Sequence, residues 1–215
     1  MSFVPKLQHH FEDIPKQAHA AKLGMWLFLG SEVLFFSGLF TLYAAYRAQH
    51  PEIFRLGVAH NDLVLGTVNT FILVTGSLLV SIAVWALRRD RRLLATLLTL
   101  VTALFGVAYL AIKGFEWGQH IMEGIFPGGR GSFFVANPEP AWAIFYTLYY
   151  GLTGFHVIHV SVGVAVLAWT AWWMHREQVG AAGAYKLLIV SLYWHLVDIF
   201  WLYLWLIFYL LRNPA

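Results

Sequence analysis

Glu32 stands in the middle of the apolar run 24–40, Gly-Met-Trp-Leu-Phe-Leu-Gly-Ser-Glu-Val-Leu-Phe-Phe-Ser-Gly-Leu-Phe. A carboxyl group inside such a segment is costly to keep in a bilayer, so it implies a partner or a bound proton. Counted from Lys22 at about 1.5 Å per residue, Glu32 lies roughly 15 Å deep. His195 and Asp198 fall at the same depth on a second apolar segment running in the same direction, three residues apart on one helical face. Either is expected to answer Glu32 if the two segments are neighbours. The chemistry of such a set is proton exchange; the plainer reading is a hydrogen-bonded network that fixes helix register.

His156 and His159 repeat the three-residue spacing within Gly-Phe-His-Val-Ile-His. Histidine is the commonest metal ligand. Zinc, however, needs a third and usually a fourth ligand, and haem needs an axial His over an apolar pocket. Two His on one helix favour structural histidines, so no metal is expected there. Lys113 and Glu116 form another one-face pair near the end of a segment, where Lys can reach Glu or a lipid phosphate. The expectation is a structural ion pair or a lipid headgroup site. His9, His10 and His19, together with Glu12 and Asp13, place groups that exchange protons near neutral pH ahead of the first segment. They read either as a proton-collecting surface or as a solvated tail.

The elements that carry these residues follow from composition. With 60% hydrophobic, 17% aromatic and only 12% charged residues, the chain cannot cover a soluble domain, which needs roughly a quarter charged. Five apolar stretches, 20–46, 62–87, 93–117, 141–174 and 186–211, are each long enough to span a bilayer core of roughly 30 Å. They nearly consume the 215 residues, which leaves no separate soluble domain. Apolar residues run continuously, which excludes barrel strands. The reading is an all-α, multi-pass membrane bundle of five transmembrane helices at 20–215, preceded by a polar tail at 1–19. That tail does not resemble a cleavable signal, so the first span is expected to direct insertion.

Lys6, Lys16, Lys22, Arg88, Arg89, Arg91, Arg92, Arg176 and Lys186 fall on one side of this arrangement. Only Arg47, Arg55, Arg130 and Arg212 fall on the other. The positive-inside bias therefore puts the N-terminus in the cytoplasm and the C-terminus outside. The net charge of +3 is a topology signal, with no nucleic-acid partner implied. Gly30, Gly38, Gly76, Gly151, Gly154 and Gly163, with several Ser, are expected to let helices approach closely. Trp26, Trp85, Trp117, Trp142, Trp172 and Trp173 read as interfacial anchors. Cysteine is absent, which excludes disulfides, thiolate-bound iron-sulfur or copper centres and Cys-attached haem.

Taken together, the motifs resemble one family. The helix Ser31-Glu32-Val33-Leu34-Phe35-Phe36-Ser37-Gly38-Leu39-Phe40 is similar to the one that bears a membrane-embedded Glu in subunit III of haem-copper cytochrome oxidases. Gly154-Phe155-His156-Val157-Ile158-His159-Val160 and Tyr193-Trp194-His195-Leu196-Val197-Asp198-Ile199-Phe200-Trp201 resemble two more of its segments, in the same order, from Lys22 to the C-terminus. Val157 departs from the Gly that many members have there. The chain also lacks two helices that precede these five in longer members, where a cleft between the two groups holds lipids. The resemblance implies that lipid or extra helices of a catalytic subunit close that cleft here.

It further implies an accessory, redox-inert subunit of a proton-translocating oxidoreductase, with no catalytic residue and no cofactor in this chain. Haem and copper are then held by partner subunits. Subunit I is the implied main contact, with subunit II, other respiratory subunits and membrane phospholipids as further partners. The implied role is to steady subunit I and sustain its proton uptake in the cell membrane. The related subunit of nitric oxide reductases shares part of this pattern. An independent ion transporter around Glu32, His195 and Asp198 is disfavoured, because no repeat halves or broken helix pair are present. A dihaem carrier is disfavoured because His156 and His159 share one helix, whereas a haem takes its two ligands from opposite faces of the ring.

Overall fold

The computed structural model describes residues 12–177 and 179–212, and five of its helical segments are long and apolar enough to cross a membrane. The first helix, α1 (Ile14–Gln49), starts ahead of the boundary expected at residue 20. Asp13 caps it by accepting the Lys16 N–H at 2.7 Å, and Pro15 occupies the first turn. After a break at His50 comes the short α2 (Pro51–His60). The second span, α3 (Leu63–Arg88), is capped by Asp62, whose carboxylate accepts from Val64 and Leu65 N–H at 2.8 and 3.2 Å. A tight turn then leads into α4 (Arg92–Met122). In that turn Asp90 adopts φ 56°, and its carboxylate accepts the Ala181 N–H at 2.7 Å, which pins the last connection to this end of the bundle.

The short α5 (Ser132–Ala136) follows, and then α6 (Pro140–Arg176). The chain closes with a 3-10 turn (Ala181–Gly183), α7 (Ala184–Trp205) and a π turn (Leu206–Leu210). There is no strand among the described residues; a lone bridge joins Phe126 and Arg130. Within the bundle α4 packs between α3 and α6, α7 closes on α3 and α6, and α1 leans chiefly on α7. The core runs between these helices and is dominated by aromatic rings, Trp194, Trp201, Tyr109, Tyr146 and Tyr149 among the largest.

Two glycines explain how the helices close around Trp194. A Cβ at Gly106 of α4 would overlap Val164 and the Trp194 ring, and one at Gly163 of α6 would sit 3.0 Å from Trp194 Cε3. Trp194 thus fills a slot that only hydrogen leaves open. Gly30, Gly38 and Gly151 do not serve this bundle, since they have nothing within 4 Å of a Cβ position. Helix α1 touches the bundle by a single seam, because its buried residues Leu29, Phe36 and Tyr43 recur every seven positions. Leu27 and Leu34 stay exposed, as suits a surface meant for lipid or another subunit.

The end that carries Arg88, Arg89, Arg91, Arg176 and Lys186 also gathers tryptophans. The Arg89 guanidinium lies 4.3 Å from the Trp85 ring centre and the Lys186 ammonium 4.6 Å from that of Trp173. Cations over indoles are the furniture of a membrane–water boundary. Trp142 differs, packing into the aromatic core with Phe133 and Tyr146.

Candidate proton-exchange pair

Glu32 meets His159 of α6, and not the α7 residues expected from depth alone. Its Oε2 lies 2.9 Å from His159 Nε2, and both side chains are less than one-fifth exposed. Depth matched the levels of Glu32 and His195 but could not fix azimuth. Phe200 of α7 stacks on Phe36 at 4.0 Å between ring centres, and His195 lies five residues earlier, about 140° round the helix. The face of α7 turned to α1 is therefore aromatic. The Phe36 ring also lies edge-on to His159 at 5.3 Å, which fixes the imidazole against α1.

Hydrogen bonding restricts where the protons of this pair can be. His159 Nδ1 faces the Phe155 carbonyl at 2.7 Å, and a carbonyl only accepts, so Nδ1 carries a hydrogen. The remaining nitrogen then either accepts from a protonated Glu32 or donates to its carboxylate. The first arrangement pairs a neutral acid with a neutral imidazole and the second a carboxylate with an imidazolium, so neither carries a net charge. Tyr193 of α7 donates to the His159 carbonyl at 2.9 Å and so ties the same turn of α6 to α7.

His195 and Asp198 lie on the opposite side of α7, toward α3. Ser81 gives its hydroxyl proton to the Ser77 carbonyl at 3.0 Å, which leaves its oxygen to accept from His195 Nε2 at 3.1 Å. Asp198 is buried on this side, and its Oδ1, like the Ser77 hydroxyl, has no hydrogen-bond partner among the described residues. His156 is separated from His159. It is fully buried, stacked on Trp201 at 5.4 Å and edge-on to Tyr109 at 5.5 Å, and neither of its nitrogens has a partner among the described residues. His19 is exposed on the first turns of α1, and His9 and His10 lie outside the described residues.

Lys113 and Glu116 are buried in the protein, each 1% exposed, and not directed to a lipid headgroup. The Lys113 ammonium donates to Glu116 Oε2 at 3.2 Å, to Tyr149 Oη at 2.9 Å and to Tyr209 Oη at 2.6 Å. Both phenols donate onward to Glu116 Oε1, at 2.7 and 2.6 Å. All three ammonium hydrogens and both carboxylate oxygens are thus satisfied, the condition under which a buried pair is tolerable. The π turn brings Tyr209 inward, and Gly66 of α3 leaves room for its ring.

A cluster with only a partial sequence signal lies at the same end of the bundle. His60 closes α2, His120 lies in the last turn of α4 and Glu123 caps it, with one ligating atom of each within 4.8 Å of the others. The spacing His-x-x-Glu on α4 was readable; the third member, sixty residues earlier, becomes a neighbour only through the fold.

Known proteins resemble the chain over nearly its whole length. The family model described as Cytochrome c oxidase subunit III matches residues 8–212. A protein of Staphylococcus aureus (strain USA300) named "Probable quinol oxidase subunit 3" is 26% identical over 208 residues, covering 95% of this chain and 97% of that protein. A protein of Aeropyrum pernix named "Heme-copper oxidase subunit I+III" is 27% identical over 214 residues, which is 97% of this chain but only 25% of that protein. The chain therefore spans about a quarter of that relative and nearly all of the staphylococcal one.

Proposed function

The chain belongs to the cytochrome c oxidase subunit III family, and on that premise we propose that it is the accessory subunit of a haem-copper terminal oxidase, steadying subunit I and sustaining its proton uptake. It holds neither haem nor copper; those reside in partner subunits, where oxygen is reduced and protons are pumped. Subunit I is the main contact, a reading supported by the relative whose name joins subunits I and III. Subunit II is the further partner. The exposed apolar face of α1 is the surface covered by phospholipid or by extra helices of subunit I. The N-terminus is cytoplasmic and the C-terminus outside, as the clustering of basic residues supports.

The observation that carries the functional part is the Glu32–His159 pair. Its two side chains meet at 2.9 Å, are not sealed from their surroundings, and join α6 to a helix whose outer face is exposed. Such a pair can pass or hold a proton beside a neighbouring uptake path without paying for a net charge in the membrane. Glu32→Gln retains size and hydrogen bonding but removes the titratable proton, and Glu32→Ala removes both. In the co-purified complex, both variants are expected to shorten activity during sustained turnover while leaving the initial rate near that of the parent. A Gln variant that lasts as long as the parent would reduce Glu32 to a packing residue.

A further inference from the structure

We propose that His60, His120 and Glu123 form a binding site for a divalent transition-metal ion of zinc type at the end of the bundle. The donor set is two imidazoles and one carboxylate, a combination that holds zinc with a fourth position left to water. One ligating atom from each residue already lies within 4.8 Å of the other two. His60 Nε2 and Glu123 Oε2 are 2.8 Å apart, and the His60 and His120 rings run nearly parallel, 27° apart at 5.7 Å between centres. Ligands about 2.0 Å from a tetrahedral ion stand about 3.3 Å from one another, so rotation of exposed side chains suffices to close the site.

The backbone around these residues is prepared for a cation. Both His60 and His120 lie in the last turns of helices, α2 and α4, whose carbonyl ends converge and carry partial negative charge. Glu123 adds a carboxylate at the same place. Arg212 is engaged on the Asn61 and Tyr209 carbonyls, and Lys113, whose charge reaches His120, is paired with Glu116. His120 is buried, packed edge-on against Tyr149 at 5.4 Å and Tyr146 at 5.9 Å, and its Nδ1 has no hydrogen-bond partner among the described residues. The turn that follows is fixed: Ile125 N–H returns to the His120 carbonyl at 2.9 Å, and Gly124 takes φ 78° where a Cβ would strike Ser132. Glu123 is thereby held beside His120. An ion here would clip α2 to the end of α4.

The site stands on its own geometry and does not depend on an oxidase role. The test uses the full-length chain purified in detergent, stripped with chelator and equilibrated with Zn2+ alone. One ion per chain is expected, with a rise in melting temperature on zinc addition, since an ion that binds only the folded state stabilises it. His60→Ala and Glu123→Gln, both at exposed positions, are expected to keep the helical spectrum, weaken retention at least about tenfold and abolish the thermal shift. Glu139→Gln, an exposed acid outside the cluster, is expected to change neither. Zinc retention that is equal in the parent and both ligand variants, or absent in the parent, would overturn the proposal.

Discussion

At the level of single residues, the Lys113–Glu116 pair offers the clearest contrast between partners removed singly and together. Lys113→Met strips the ammonium from a carboxylate that is 1% exposed, and breaking a buried pair in this way costs about 3–5 kcal/mol. The variant is expected to unfold at a clearly lower temperature in detergent. Adding Glu116→Gln removes the orphaned charge and keeps an acceptor for the Tyr149 and Tyr209 hydroxyls. The double variant is expected to regain a substantial part of the loss; a double variant as unstable as the single one would mean that packing, not charge, sets the cost. The type and spacing of this pair were legible in the sequence, because an ionisable residue in an apolar run is conspicuous. Its two tyrosine partners were not, since Tyr149 and Tyr209 lie 36 and 96 residues from Lys113 and look like ordinary aromatic residues.

Among the elements, the slot around Trp194 separates glycines that matter from glycines that do not. Gly106→Ala places a methyl group against Val164 and the Trp194 ring, and overpacking of this kind costs about 1–3 kcal/mol. Gly114→Ala, on the same helix with nothing within 4 Å, is expected to be neutral or slightly stabilising, because Ala favours helix. Thermal unfolding of the two variants side by side checks the assignment; equal effects would mean that helix propensity decides. All five spans were readable from hydropathy, with ends shifted by a few residues where caps such as Asp13 and Pro15 extend a helix. Neighbour choice was not readable. Glu32 and His195 share a level, yet the aromatic stack of Phe36 on Phe200 turns α7 so that His195 faces Ser81 and leaves Glu32 to His159. Which helix faces which is decided by long-range packing, to which span length and charge bias are blind.

The whole molecule is an asymmetric object, with a packed bundle on one side and α1 held by one seam on the other. That asymmetry makes docking testable in a chain that has no cysteine of its own. Leu34→Cys, 77% exposed on α1, is expected to cross-link to a partner subunit in isolated membranes, whereas Val135→Cys on α5 is expected to be labelled by an impermeant thiol reagent from outside the cell. Labelling of Val135→Cys only after the membrane is opened would reverse the proposed topology. The paired charges of α4 also bear on how the bundle is made. A lone charge entering a bilayer on a helix costs about 2.5–3.5 kcal/mol, and α4 is synthesised before α6 and the π turn exist. Lys113 and Glu116, three apart on one helix, can neutralise each other during that interval, so the helix carries its own counter-ion across the translocon. Tyr209 is made only after α7 and completes the hydrogen bonding. A nascent chain truncated ahead of it would keep an unfinished polar pocket, a mark by which membrane quality control could tell incomplete copies from finished ones.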